Sequence, residues 1–277
     1  MKEIIVAVPP QGAVDRALDW AVRRAVERRL PLRLVSVVGG AIGVVGEGPV
    51  VEAAVAAAEE RLRGLRDGLQ RDGLSIGHTV LRGDPARELR QISEGAETLV
   101  IGSDFRGADG PPRGGLGLRV ASLAASPVVV VPERPLGERS GVVVGVDGSP
   151  ISEAAVAFAA AEAERLGEPL VAVSAWSPIP APLHSVVNAA EYLEAVAALT
   201  EEQLALALAG LAQDHPDLRV ERRTEQGRAA DVLGHAARSA RLVVVGTHGR
   251  GAIARALLGS VSQEVLQRLD TVTAIVR

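Results

Sequence analysis

One order of motifs runs through this chain twice, and that repeat limits the fold more than any single segment does. Ile4-Ile5-Val6-Ala7-Val8 is matched by Val142-Val143-Val144-Gly145-Val146. Leu81-Arg82-Gly83-Asp84-Pro85-Ala86 lines up with Glu225-Gln226-Gly227-Arg228-Ala229-Ala230. Residues 97–102 (ETLVIG) correspond to 241–246 (RLVVVG), and 127–131 to 272–276. The offset drifts from 138 to 145, so the copies differ by a few loop residues and keep one sequence of elements. Two tandem domains, 1–137 and 138–277, follow, each of ordinary domain size. The segment 133–138 (ERPLGE) reads as a short polar linker.

Each copy alternates short apolar runs with helical periodicity. Strands are expected at 3–8, 31–38, 75–81, 97–102 and 127–132, and helices at 13–29, 50–72, 85–94 and 116–125. The second copy gives strands at 141–146, 168–175, 217–224, 241–246 and 272–277. Ala17, Leu18, Ala21, Val22, Ala25 and Val26 form the apolar stripe of the first helix. Asp84-Pro85 is an N-cap followed by proline at the first helical position. Aromatics make up only 2% of the chain against 47% apolar residues, so the core is aliphatic, as a covered parallel sheet requires. The fold class is therefore α/β, with two tandem five-stranded, parallel, doubly wound sheets flanked by helices.

Charge and composition narrow the function. Net charge is −4 with arginine and glutamate interspersed, and no basic stripe marks a nucleic-acid footprint. There is no cysteine, hence no thiolate chemistry and no cysteine-ligated zinc. The N-terminus enters a strand without a signal-peptide core, and no apolar run approaches a membrane span. A cytoplasmic location without membrane or nucleic-acid partners is the expectation.

Gly246-Thr247-His248-Gly249, then nine residues, then Gly259-Ser260, lies between the apolar run 241–245 and a helical pattern at 261–269. In that helix Val261, Val265, Leu266 and Leu269 share a face. Glycines let a backbone approach an anion closely, and first-turn N–H groups of a helix point at it. The arrangement suits a phosphate.

With Val144-Gly145-Val146-Asp147-Gly148-Ser149 at the end of the first strand of copy two, and Leu81 to Pro85 in copy one, the whole chain resembles a tandem universal stress protein, of the adenine-nucleotide-binding α/β superfamily. The resemblance implies strand order 3-2-1-4-5 and a ligand crevice between the first and fourth strands. It implies that Val146 and Asp147 sit at the ligand, with the Asp147 carboxylate accepting ribose hydroxyls. Ala175 would lie beside adenine, and Gly246 and Gly249 would let the loop pass over the phosphates. Gly259, Ser260 and Val261 would offer N–H groups and one hydroxyl at a helix N-terminus, and Arg250 would neutralise phosphate charge. ATP with Mg2+ is the implied cofactor, with no protein ligand assigned to the metal. ADP, AMP and cyclic AMP remain open alternatives. On its residues alone Asp147, before Gly148-Ser149-Pro150, reads equally as a turn residue or a helix cap.

Copy one departs from this pattern. Pro9 stands where copy two has Asp147, Phe105 replaces the second loop glycine, Gly114-Gly115 replaces Gly259-Ser260, and 109–112 (DGPP) is irregular. One nucleotide per chain, in the C-terminal copy, is expected. The edge strands 128–131 and 273–276 are candidates for pairing within one chain as a pseudo-dimer, with a homodimer also open.

Three functions compete. The first is a nucleotide-dependent regulatory protein of the stress response, whose movable parts would be residues 246–259 and 177–182. The second is a slow ATPase or phosphotransfer enzyme. The third is a nucleotide-free interaction scaffold. No residue is assigned a catalytic role. His248 has no visible carboxylate partner, and neither a Walker lysine nor an H-x-G-H pair is present.

Overall fold

The computed structural model describes residues 2–39, 48–69, 73–103, 115–178, 189–249 and 258–277. Arg250, Phe105, Gly114 and the segments 109–112 and 179–182 lie outside the described residues. The chain divides into two compact units, Met1–Leu136 and Gly137–Arg277.

The first unit runs β1 (Ile4–Ala7), α1 (Asp15–Arg28), β2 (Leu32–Val38), α2 (Gly48–Gly68), β3 (Ile76–Arg82), α3 (Pro85–Ile92), β4 (Thr98–Ser103), α4 (Leu116–Leu123) and β5 (Val128–Pro132). Its strands are parallel in the order β3-β2-β1-β4-β5. Ile4 aligns with Leu32 on one side and Thr98 on the other, so β1 is central. Ile4, Ile5, Leu32, Leu34 and Leu99 are buried there, and Leu62 of α2 closes one face.

The second unit runs β6 (Val142–Gly145), α5 (Pro150–Leu166), β7 (Leu170–Trp176), α6 (Ala189–Ala207), α7 (Leu211–Asp214), β8 (Val220–Gln226), α8 (Ala229–Ala237), β9 (Leu242–Gly246), α9 (Ser260–Arg268) and β10 (Val272–Val276). The order β8-β7-β6-β9-β10, again all parallel, repeats that of the first unit. Both sheets are thus 3-2-1-4-5 within their own copy, the doubly wound order expected.

Local chemistry accounts for the element ends. Asp84 accepts the Arg87 N–H at 3.0 Å and Pro85 opens α3. Ser149 accepts the Ser152 N–H at 3.2 Å and caps α5, which stops at Gly167 in the left-handed region. Three expectations need correction. Val26 is 47% exposed and Arg24 is buried instead, because the inward stripe of α1 is narrower than its apolar pattern. β8 lies at 220–226 rather than 217–224: its sequence, VERRTEQ, has no apolar signal, and its place is set by pairing Leu170 with Val220. Its exposed charges suit an edge strand that must not recruit another. The third correction concerns apolar length. The stretch Ala190–Asp214 is long and apolar enough to cross a membrane by length and composition, with mean hydropathy 1.3 in its best window and 11% of that window buried. Its alanines and leucines raise the average without forming an unbroken run. In this fold α6 packs on β7 and β8, burying its own Leu204 and the following Leu208.

Candidate functional site

The chain leaves β6 toward β7 on one side and reaches β9 on the other, so the carboxyl ends of β6 and β9 border a topological switch point. Asp147 follows β6, and Gly246 ends β9. β7 runs past β6, since Gly145 aligns with Val173, and this brings Ala175 to the level of Asp147. Val146 is buried and its N–H is held by the Val173 carbonyl at 2.9 Å. Val146, Asp147, Ala175 and Gly246 therefore gather at one end of the sheet.

The closest approach is between Asp147 and Gly249. A methyl group placed on Gly249 would lie 3.6 Å from Asp147 Cγ and collide with Oδ2. Only glycine lets the loop after β9 lie against this carboxylate. The other oxygen, Oδ1, accepts the Ser149 N–H at 3.0 Å and the Ser149 hydroxyl at 2.7 Å. The turn reading of Asp147 is therefore correct for Oδ1, while Oδ2 faces the loop. Gly148, at φ 72°, makes the turn possible. Ser149 both caps α5 and fixes the carboxylate's rotation, a role that its position two residues on could have suggested.

The loop is closed at its base by Thr247, which is buried. Its carbonyl accepts the Gly259 N–H at 2.7 Å and the Ser262 hydroxyl at 3.0 Å, and Ser262 also reaches the Gly259 carbonyl at 2.9 Å. This corrects one expectation: the Gly259 N–H serves the loop's own closure and is not offered to an anion. Ser260 and Val261, in the first turn of α9, remain candidate donors, since Gly259 at the N-cap supplies no side-chain cap. Helix α9 is held beside the crevice by Arg228–Glu264 at 2.8 Å and by the Arg268–Asp231 pair. His248 Nε2 is buried and has no hydrogen-bond partner among the described residues. The sequence assigned His248 no role; a buried ring nitrogen without a partner among the described residues is visible only in three dimensions. Among the described residues no group of three or more histidine, aspartate or glutamate side chains is placed to hold a metal ion.

Ser262→Ala should lower the stability of the second unit by about 0.5–1.5 kcal/mol, the net contribution of a buried hydrogen bond, because the Thr247 and Gly259 carbonyls keep the N–H groups of Gly259 and Gln263 as donors. Urea unfolding followed through Trp176 fluorescence in a Trp20→Phe background measures it.

A sequence model described as the universal stress protein family matches residues 1–132 and again 139–277. The chain belongs to the universal stress protein family. It is 35% identical over 292 residues to a universal stress protein of Mycolicibacterium smegmatis, covering 99% of this chain and 96% of that one. It is 36% identical over 287 residues to universal stress protein Rv2005c of Mycobacterium tuberculosis, covering 95% and 92%. Its fold is similar to the crystal structure of a universal stress protein from Archaeoglobus fulgidus, with a TM-score of 0.72 at 15% identity, covering 98% of this chain and 95% of that one. The tandem arrangement of this universal stress protein is thus shared over nearly the full length of these relatives.

Proposed function

We propose that this universal stress protein binds one adenine nucleotide, ATP with Mg2+, in its C-terminal repeat and acts as a nucleotide-dependent regulator in the stress response. The observation that carries the proposal is the contact of Gly249 with the Asp147 carboxylate across the switch point. It joins an ionised acceptor suited to ribose hydroxyls with a loop whose missing Cβ atoms leave backbone accessible to phosphate. The residues fit such a ligand in two further ways. The first turn of α9 has no side-chain cap. The buried His248 Nε2 lacks a partner among the described residues, and a ligand oxygen would supply one. Magnesium would take its ligands chiefly from phosphate oxygens and water. Arg250 would add positive charge at the phosphates, and Ala175 would face the base.

The test is calorimetric titration of the purified protein with ATP, ADP, AMP and cyclic AMP, with and without Mg2+. One ATP per chain is expected. Asp147→Ala should weaken ATP binding by about 1.5–3 kcal/mol, the scale of a hydrogen bond to a charged group, or roughly tenfold to 150-fold in Kd. An unchanged Kd in that variant would remove Asp147 from the site, and absence of heat with all four ligands would overturn the proposal.

A further inference from the structure

The carboxylate that follows β6 presents its two oxygens unequally. Oδ1 of Asp147 accepts two hydrogen bonds from Ser149, the N–H at 3.0 Å and the hydroxyl at 2.7 Å. A carboxylate oxygen has about two acceptor sites, so both of those on Oδ1 are in use. Both donors are committed. The Ser149 N–H belongs to the turn that Gly148 opens at φ 72°. The Ser149 hydroxyl oxygen also accepts the Ser152 N–H at 3.2 Å as the N-cap of α5, which fixes that oxygen while its proton stays on Oδ1. Ser149 is 6% exposed and Ser152 3%, so Oδ1 is turned toward the buried start of α5. Oδ2 lies against the loop after β9, where an added Cβ on Gly249 would collide with it.

We infer that the second repeat reads one ribose hydroxyl of its nucleotide and not the 2′,3′ pair, and that Ser149 sets this preference by saturating Oδ1. The inference rests on the reading of Asp147 as the ribose acceptor, and its test separates the two. A vicinal diol is gripped most firmly when its hydroxyls donate to the two oxygens of one carboxylate, each along a lone pair. Here a second hydroxyl would have to displace a Ser149 donor, leaving a buried polar group without its acceptor. That cost offsets what the second bond would contribute. One hydroxyl at Oδ2 is therefore the whole of the ribose recognition by this side chain. The ligand class that follows is an adenine nucleotide with one unmodified ribose hydroxyl, the other position being open to hydrogen or an ester.

ATP, 2′-deoxy-ATP, 3′-deoxy-ATP and 2′,3′-dideoxy-ATP are titrated calorimetrically into wild type, Asp147→Ala and Ser149→Ala. In wild type one monodeoxy analogue is expected to bind within about twofold of ATP. The other, and the dideoxy analogue, should each bind about tenfold or more weaker, the loss of one hydrogen bond to a charged group. In Asp147→Ala the four ligands should bind alike to within about twofold. Ser149→Ala releases an acceptor site on Oδ1, and the tolerated analogue should then fall about threefold or more behind ATP. Loss of the α5 cap alone would lower stability without moving that ratio. An unmoved ratio in folded Ser149→Ala would overturn the part given to Ser149. If both monodeoxy analogues are weakened in wild type and the dideoxy analogue is weaker than either, the pair is read and the inference is overturned. Dideoxy-ATP binding as tightly as ATP would also overturn it while leaving ATP binding by this repeat standing. Absence of heat with ATP would bring down the nucleotide-binding function itself, and the inference with it.

Discussion

Arg24→Ala is expected to lower the unfolding free energy of the first unit by about 3–5 kcal/mol, because it strands a carboxylate in a place built for an ion pair. Arg24 is 2% exposed, its Nη2 lies 2.6 Å from Glu97 Oε1, and its Nε donates to Oε2 at 3.2 Å. The guanidinium also stacks over Trp20, 5.4 Å from the ring centroid. Glu97 takes a further hydrogen bond from the Thr98 hydroxyl at 2.7 Å. Burial alone would raise the Glu97 pKa, but the hydrogen bond and charge of Arg24 outweigh it, with help from Thr98 and Arg28, and the carboxyl is held below its usual value. A depressed folded pKa means that the pair's stabilisation is fully present above the unfolded pKa and is lost as pH falls through the folded one. In Arg24→Ala the burial effect is left without its main opponent, so acid should weaken the variant less than wild type. Urea titrations from neutral to acid pH, read from Trp20 fluorescence in a Trp176→Phe background, give both the magnitude and the slope. A loss below about 1 kcal/mol would place this pair among ordinary surface pairs. Arg24→Met with Glu97→Leu should recover most of the loss, since an apolar pair of similar volume carries no desolvation penalty.

Gly249→Val is expected to abolish most nucleotide binding while leaving the fold intact. Its Cβ would enter the space of Asp147 Oδ2, so either the carboxylate turns away or the loop lifts off. The first outcome loses about 1.5–3 kcal/mol of charged hydrogen bonding to the ligand, and the second moves the loop backbone away from the phosphates. A loss of about one to two decades in ATP affinity follows from the lost hydrogen bonding. The loop position is exposed and lies outside the buried core, so far-UV circular dichroism and the urea midpoint should change little. The competing result, full ATP affinity with valine at 249, would show that the Asp147–Gly249 contact does not border the ligand. Combining Gly249→Val with Asp147→Ala gives a coupling: if the valine acts by pushing the carboxylate aside, the double variant should bind little worse than Gly249→Val alone.

The fold was legible for a simple reason. Runs such as Ile4–Ala7 and Leu242–Val245 are buried on both faces, so nearly every residue in them must be apolar, and a string of letters shows that directly. The Asp84-Pro85 cap and the glycine at the end of α5 are local signals of the same kind. Legibility failed where burial depends on a partner. Arg24 and Glu97 read as interspersed charges, yet they form an interior pair. In the second repeat the aligned positions hold the opposite charges: Glu162 is fully buried beside Arg165 at 3.0 Å, and Arg241 meets Glu168 at 2.8 Å. No window along the chain contains both members of the pair Arg24–Glu97. The same holds for Glu133, which reads as a linker charge and caps a helix more than a hundred residues away.

For the candidate site, the spacing of Gly246, Gly249 and Gly259 announced a loop that approaches something closely, because glycine spacing is a backbone property written in the sequence. What each glycine approaches was beyond its reach. Gly249 meets a carboxylate, Gly102 meets Glu133, and the N–H of Gly259 turns inward to Thr247. The sequence by itself determined the duplicated α/β fold, which follows from hydrophobic period, and its family resemblance supplied the strand order. Only the tertiary structure decided which oxygen of Asp147 is held by Ser149 and which faces the loop, and that Glu133 caps the start of α1. Those outcomes depend on the distances between groups far apart in the chain, which packing sets and residue order does not record.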